Sequence, residues 1–193
     1  MNYAAQESNV WPKPYSAPVW EPEESRSGGG AHFRPGNESP SGVRLPVSAG
    51  ALPSVDHDAE YILVVEDNPA DVSLLKQALL EHNVELQVVV ANDGEKAMRF
   101  VEWGHKEAVS APRLIVLDLN LPKRNGREVL EFIRAAGAWN QVPLVVLSSS
   151  SAARDRMDAE RLGASRYIRK PLDLDEFMAI GDALKALIHG SNR

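Results

Sequence analysis

The feature that most constrains this chain is a fivefold alternation beginning near residue 60. Short apolar runs rich in β-branched residues are each followed by a helical pattern. The first run is Tyr61-Ile62-Leu63-Val64-Val65; Asn68-Pro69 then supplies a cap and a proline at the first helical position, and Val72, Leu75 and Leu79 stripe the helix. Leu86 to Val90 forms the second strand, and Asp93-Gly94-Glu95 leads into a helix with Ala97, Met98 and Val101 facing inward. A polar loop through Gly104 and Ser110 reaches the third strand, Leu114-Ile115-Val116-Leu117, and Asn125-Gly126 opens a helix carrying Val129, Leu130 and Ile133. Pro143 to Leu147 is the fourth strand, followed by a weakly amphipathic helix from Ala153 to Leu162 that Gly163 stops. Tyr167-Ile168 lies in the fifth strand, and Asp173 caps a last helix striped by Phe177, Ile180, Leu184 and Leu187.

Five buried strands, each followed by a helix, imply an α/β domain over residues 59–190 with a parallel sheet covered on both faces. Right-handed crossovers leave few topologies, and for five strands the flavodoxin-like order 2-1-3-4-5 is the expectation. Chemistry in such sheets gathers beyond the carboxyl ends of the strands, near the switch in strand order. Strand one ends in Glu66-Asp67, strand three in Asp118-Leu119-Asn120, strand four in Ser148-Ser149 and strand five in Lys170-Pro171.

Taken singly, each of these residues has a plainer role: an acid or serine at a strand end can cap the next helix, and a lone lysine is usually a surface lysine. Their coincidence on four of five strand ends points elsewhere. Three carboxylates in close quarters repel, so a proton or a cation must accompany them. Oxygen ligands without His or Cys point to a hard cation such as Mg²⁺ (or Mn²⁺). A hydroxyl and an ammonium aimed at the same point would help to neutralise a phosphoryl group.

The remainder of the chain narrows the function classes. A net charge of −6 argues against a nucleic-acid footprint, and the absence of cysteine excludes disulfides and thiolate chemistry. With no secretory leader pattern and no apolar run of spanning length, the chain reads as cytoplasmic and free of membrane. Residues 1–58 read as a disordered extension: Pro12, Pro14, Pro18, Pro22, Pro35, Pro40, Pro46 and Pro53 lie there with Gly28-Gly29-Gly30, and no apolar period is visible. Within it Val10-Trp11-Pro12 and Val19-Trp20-Glu21-Pro22 form a loose double, either a docking motif with an aromatic anchor or an unselected tail. The five histidines, His32, His57, His82, His105 and His189, show no metal spacing. Trp103 and Trp139 read as covers on the domain's edges, with Trp139 a candidate for an interface.

Residues 60–190 resemble a two-component response-regulator receiver domain. The matching text is VVEDNPAD at 64–71, LIVLDLNLPKRNG at 114–126, VVLSSS at 145–150 and YIRKPLDLDEF at 167–177. The loops EDNPAD, DLNLPKRNGREVL and KPLDLDEF are most similar to single-domain regulators associated with phytochromes. The resemblance implies that Asp118 is the phosphoacceptor, attacking the phosphohistidine of a sensor histidine kinase, here of phytochrome type. It implies Glu66, Asp67, Asp118 and the backbone carbonyl of Asn120 as the Mg²⁺ site, and Lys170 as the partner of the phosphoryl oxygens. Ser148 and Tyr167 match the switch pair, and the Lys170–Pro171 bond is expected to be cis. A Glu-Asp acid pair instead of Asp-Asp and a serine at the switch position are small departures. The chain ends shortly after the last helix, so output is expected through protein–protein contact with a downstream protein, or a homodimer, at the helix 4, strand 5, helix 5 face.

Two rival classes fit less well. An aspartate-nucleophile phosphatase of the haloacid-dehalogenase kind places Asp-x-Asp after its first strand, whereas Asp118 lies on the third with Asn120 two residues on. An FMN binder needs a phosphate-cradling loop after strand one, where Glu66-Asp67 would repel phosphate.

Overall fold

The strands pair in the order β2-β1-β3-β4-β5, all parallel: β1 (Tyr61–Val65), β2 (Gln87–Ala91), β3 (Leu114–Leu117), β4 (Leu144–Ser148) and β5 (Arg166–Arg169). The computed structural model describes residues 59–107, 109–137 and 139–190. The N-terminal extension and its Val-Trp double lie outside the described residues. Between the strands run α1 (Pro69–Glu81), α2 (Gly94–Lys106), α3 (Gly126–Ala136) and α4 (Ala153–Arg161), and after β5 come α5 (Leu174–Met178) and α6 (Ile180–Gly190).

The period of two within each strand explains the layers. Tyr61, Leu63 and Val65 of β1, with Ile115 and Leu117 of β3, face a core completed by Ala97, Phe100, Val129, Leu130 and Ile133 of α2 and α3. Ile62 and Val64, with Leu114 and Val116, face the opposite core beneath Leu75 and Leu79 of α1 and Phe177, Leu184 and Ile188 of α5 and α6. Both faces of β1, β3 and β4 are buried, which is why their sequences are unbroken apolar runs. Each fully buried Leu, Ile or Phe contributes about 1.5–3 kcal/mol through burial.

Side-chain caps set where the helices start. Asn68, Asp93, Asn125 and Asp173 accept backbone N–H bonds from Ala70, Lys96, Glu128 and Glu176, and Asn125 with Glu128 closes a capping box. The α4 helix has no side-chain cap and buries only Ala159. The single last helix expected from sequence is two segments joined at Ala179. Gly181 explains the break, since a Cβ there would stand 2.2 Å from the Ala78 carbonyl of α1. Trp139 is a core residue, 3% exposed, against Phe100 at a ring separation of 6.1 Å, and not the interfacial residue its loop position suggested. Among the described residues no helix is long and apolar enough to cross a membrane.

Candidate functional site

The register carries the strand-end residues to one edge of the sheet. Val65 pairs with Leu117, Leu117 with Val146, and Ser148 with Arg169, so Glu66, Asp118 and Lys170 emerge side by side. Backbone bonds seat each of them: Asp118 N–H donates to Val65 (3.0 Å), Glu66 N–H to Ala91 (3.1 Å) and Lys170 N–H to Ser148 (2.8 Å).

The Lys170 ammonium is the centre of the site. Its Nζ donates to Asp118 Oδ2 at 2.6 Å, Glu66 Oε2 at 2.7 Å and Asp71 Oδ2 at 2.7 Å. The Glu66 and Asp118 side chains are 6% exposed and Lys170 is 12% exposed. Burial pulls the lysine toward neutrality, but the hydrogen bonds to Asp118, Asp71 and Glu66 outweigh it and hold its pKa above the ordinary lysine value. For Glu66 burial wins: its carboxyl titrates above the usual carboxylate range despite the opposing bond from Lys170. The expected cis bond before Pro171 is absent; the peptide is trans, the ordinary preference of an X–Pro bond, and Lys170 reaches the cleft in that form.

The other strand-end residues take surrounding positions. Asp67 lies exposed at the rim, outside the knot around Lys170. Asn120 N–H donates to Asp118 Oδ1 (2.9 Å) and its amide to Ser149 Oγ (3.2 Å), which ties the β3–α3 loop to the end of β4. Ser148 is fully buried and its Oγ accepts the Ser150 N–H at 3.3 Å. Tyr167, half-buried, donates its hydroxyl to the Ser150 carbonyl at 2.9 Å, so Ser148 and Tyr167 both engage Ser150.

Two residues that the sequence reading did not assign to the site complete the setting. Asp71, in the first turn of α1, supplies the third carboxylate on Lys170; its place in EDNPAD, one helical turn after the acid pair, was the available signal. Asp93 caps α2 and accepts the Lys123 ammonium at 2.7 Å, pinning the loop that follows Asp118. Burial works against the Asp93 charge, yet Lys123 and the Lys96 N–H prevail and hold its pKa below the ordinary carboxylate value. The close approach of that loop requires glycine at 126, where a Cβ would lie 2.0 Å from the Asp118 carbonyl oxygen.

One ammonium against three carboxylates leaves the knot negative. Among the described residues no group of three or more His, Cys, Asp or Glu side chains is placed to hold a metal ion, and the Glu66 and Asp118 carboxylates are engaged by Lys170. The donor chemistry nonetheless fits a hard cation: Glu66, Asp67 and Asp118 offer only oxygen, and carboxylate and carbonyl oxygens suit Mg²⁺ or Mn²⁺.

The response regulator receiver domain family matches residues 62–181. The chain belongs to that family. The receiver is 33% identical over 128 residues to response regulator Rcp1 of Synechocystis sp., spanning 66% of this chain and 87% of Rcp1. It is 31% identical over 136 residues to the probable methanogenesis regulatory protein FilR2 of Methanothrix harundinacea, spanning 70% and 88%. Among solved structures, the phosphorylated cyanobacterial phytochrome response regulator RcpA superposes with a TM-score of 0.63 at 35% identity, covering 70% of this chain and 97% of RcpA. The Mn(2+)-bound form of Rcp1 gives 0.60 at 33%, covering 66% and 92%. The receiver is thus a two-component response regulator homologous to phytochrome response regulators, with a flavodoxin-like sheet in the order 2-1-3-4-5.

Proposed function

We propose that the receiver accepts a phosphoryl group on Asp118 from a sensor histidine kinase of the phytochrome class and signals through protein–protein contacts. The observation that carries this reading is the convergence of Asp118 with Lys170 and Glu66 at the carboxyl edge of the sheet. An Asp118 carboxylate oxygen attacks the phosphorus of the phosphohistidine; the O–P bond forms, the P–N bond breaks and the imidazole leaves, giving an acyl phosphate. Glu66, Asp67, Asp118 and the Asn120 carbonyl would hold Mg²⁺ or Mn²⁺, which when bound supplies positive charge for the phosphoryl oxygens. Lys170 supplies charge from the other side, through N–H donors already aimed at Asp118.

Phosphorylation adds about 1.5–2 negative charges. Ser148 would turn to donate its hydroxyl to a phosphoryl oxygen, drawing its Oγ away from the Ser150 N–H, and movement of Ser150 would release the Tyr167 hydroxyl. The change biases α4 and β5, where α4 is held by little burial and presents Met157 at 68% exposure. That face, continuing into α5, is the proposed contact for a downstream protein or a second receiver. The phytochrome assignment rests on the likeness to Rcp1 and RcpA. The reading is tested by labelling with acetyl phosphate and Mg²⁺: the unsubstituted receiver gains one phosphoryl group and Asp118→Asn gains none. Labelling that persists in Asp118→Asn overturns the acceptor assignment.

A further inference from the structure

We infer that Asp71 is a positioning residue for Lys170, receiving its ammonium when a divalent cation needs the oxygens of Glu66 and Asp118. The inference rests on the functional reading above and deepens it. A lysine ammonium has three N–H donors and no acceptor. In this receiver all three are used, on Glu66 at 2.7 Å, Asp71 at 2.7 Å and Asp118 at 2.6 Å. Glu66 and Asp118 belong to the set suited to a hard cation. Asp71 does not: it stands in the first turn of α1, beyond the Asn68 cap.

An ammonium and a cation cannot share the same two oxygens without close like-charge repulsion. If Glu66 and Asp118 were the only partners of Lys170, giving them up would leave the ammonium unpaired at 12% exposure, a costly state for a charge. Asp71 removes that penalty. With its side chain 23% exposed, it keeps the ammonium at the mouth of the cleft, beside Asp118, while the other two carboxylates change partner. A first-turn acid that merely complements the helix dipole need not turn toward β5. This one meets a lysine 99 residues away in sequence.

The test is a thermodynamic cycle on Mg²⁺ binding, read by titration calorimetry with no phosphodonor present. The four proteins are the unsubstituted receiver, Asp71→Asn, Lys170→Met and the double variant. With Lys170 present, Asp71→Asn is expected to weaken Mg²⁺ binding about five- to tenfold, within the usual range of coupling between contacting residues. In the Lys170→Met background the same change is expected to act less than about twofold, because no ammonium then needs a second seat. Asp71→Glu is expected to recover most of the lost affinity. Equal weakening in both backgrounds would mean that Asp71 acts only as a distant negative charge, and overturns the inference alone, as does no weakening in either. Failure of the unsubstituted receiver to bind Mg²⁺ overturns the functional reading, and this inference with it.

Discussion

Removing the ammonium at the centre of the site, by Lys170→Met, is the perturbation whose size the structure fixes best. Methionine retains much of the apolar stem but no charge, so Glu66 and Asp118, each 6% exposed, are left without their shared partner. Breaking a buried charge pair by deleting one member costs about 3–5 kcal/mol. Two circumstances lower that figure. Asp71 is 23% exposed and can rehydrate, and Glu66 and Asp118 keep backbone donors, the N–H groups of Asn68 at 3.1 Å and Asn120 at 2.9 Å. The expected loss at pH 7 is therefore about 2–4 kcal/mol, a fall of roughly 1–2 M in the urea midpoint for a domain of this size. The pH dependence has a definite sign. A carboxyl whose folded pKa is raised contributes most to stability below its unfolded value, and loses that contribution as pH rises through the folded value. Without Lys170 the folded value of Glu66 climbs further, so the variant regains stability as pH falls and the gap narrows from pH 7 to pH 5. Urea unfolding at both pH values, with chelator to exclude cations, measures it. A loss under about 1 kcal/mol at pH 7, or a gap that does not change with pH, would refute the electrostatic account.

Other parts of the fold give equally direct outcomes. Gly126→Ala forces a methyl group to within 2.0 Å of the Asp118 carbonyl oxygen; it is expected to cost about 1–3 kcal/mol and to slow acetyl phosphate labelling about tenfold or more, read by unfolding and by mass spectrometry. Trp139→Ala opens a cavity beside Phe100 and is expected to cost about 3–5 kcal/mol in urea unfolding, whereas an edge residue would cost little. Asp93→Asn keeps a capping oxygen but loses the charge that Lys123 meets at 2.7 Å. Because the folded pKa of Asp93 is depressed, its contribution is present above the ordinary value of 3.8 and lost as pH falls through the folded value, so the difference from the unsubstituted receiver should shrink on approach to pH 3.

The parts of this site that were legible in sequence share a geometric origin. In a parallel sheet, residues that end successive apolar runs must emerge at one edge, so Glu66, Asp118, Ser148 and Lys170 could be brought together from run lengths and strand order alone. Asp71, Asp93 and Trp139 follow no such rule. Asp71 reads as a first-turn acid and Asp93 as a helix cap, both sufficient local reasons for an acid; nothing in the period of α1 turns Asp71 toward Lys170, and Lys123 reaches Asp93 from a loop with no periodic signature. Trp139 lies in a loop, where no alternation separates an inward from an outward side chain; its burial depends on Gly104 of α2 leaving room, since a Cβ there would stand 2.8 Å from the indole. The isomer of the Lys170–Pro171 bond is likewise weakly determined by residue type, because the two forms differ by only about 0.5–1 kcal/mol before tertiary contacts act. Sequence therefore identified the charged groups at the edge but not how one ammonium is divided among three carboxylates. The proposed roles turn on that division: Glu66 and Asp118 are the oxygens a bound cation would take from Lys170, and Asp71 is the carboxylate that would still hold it.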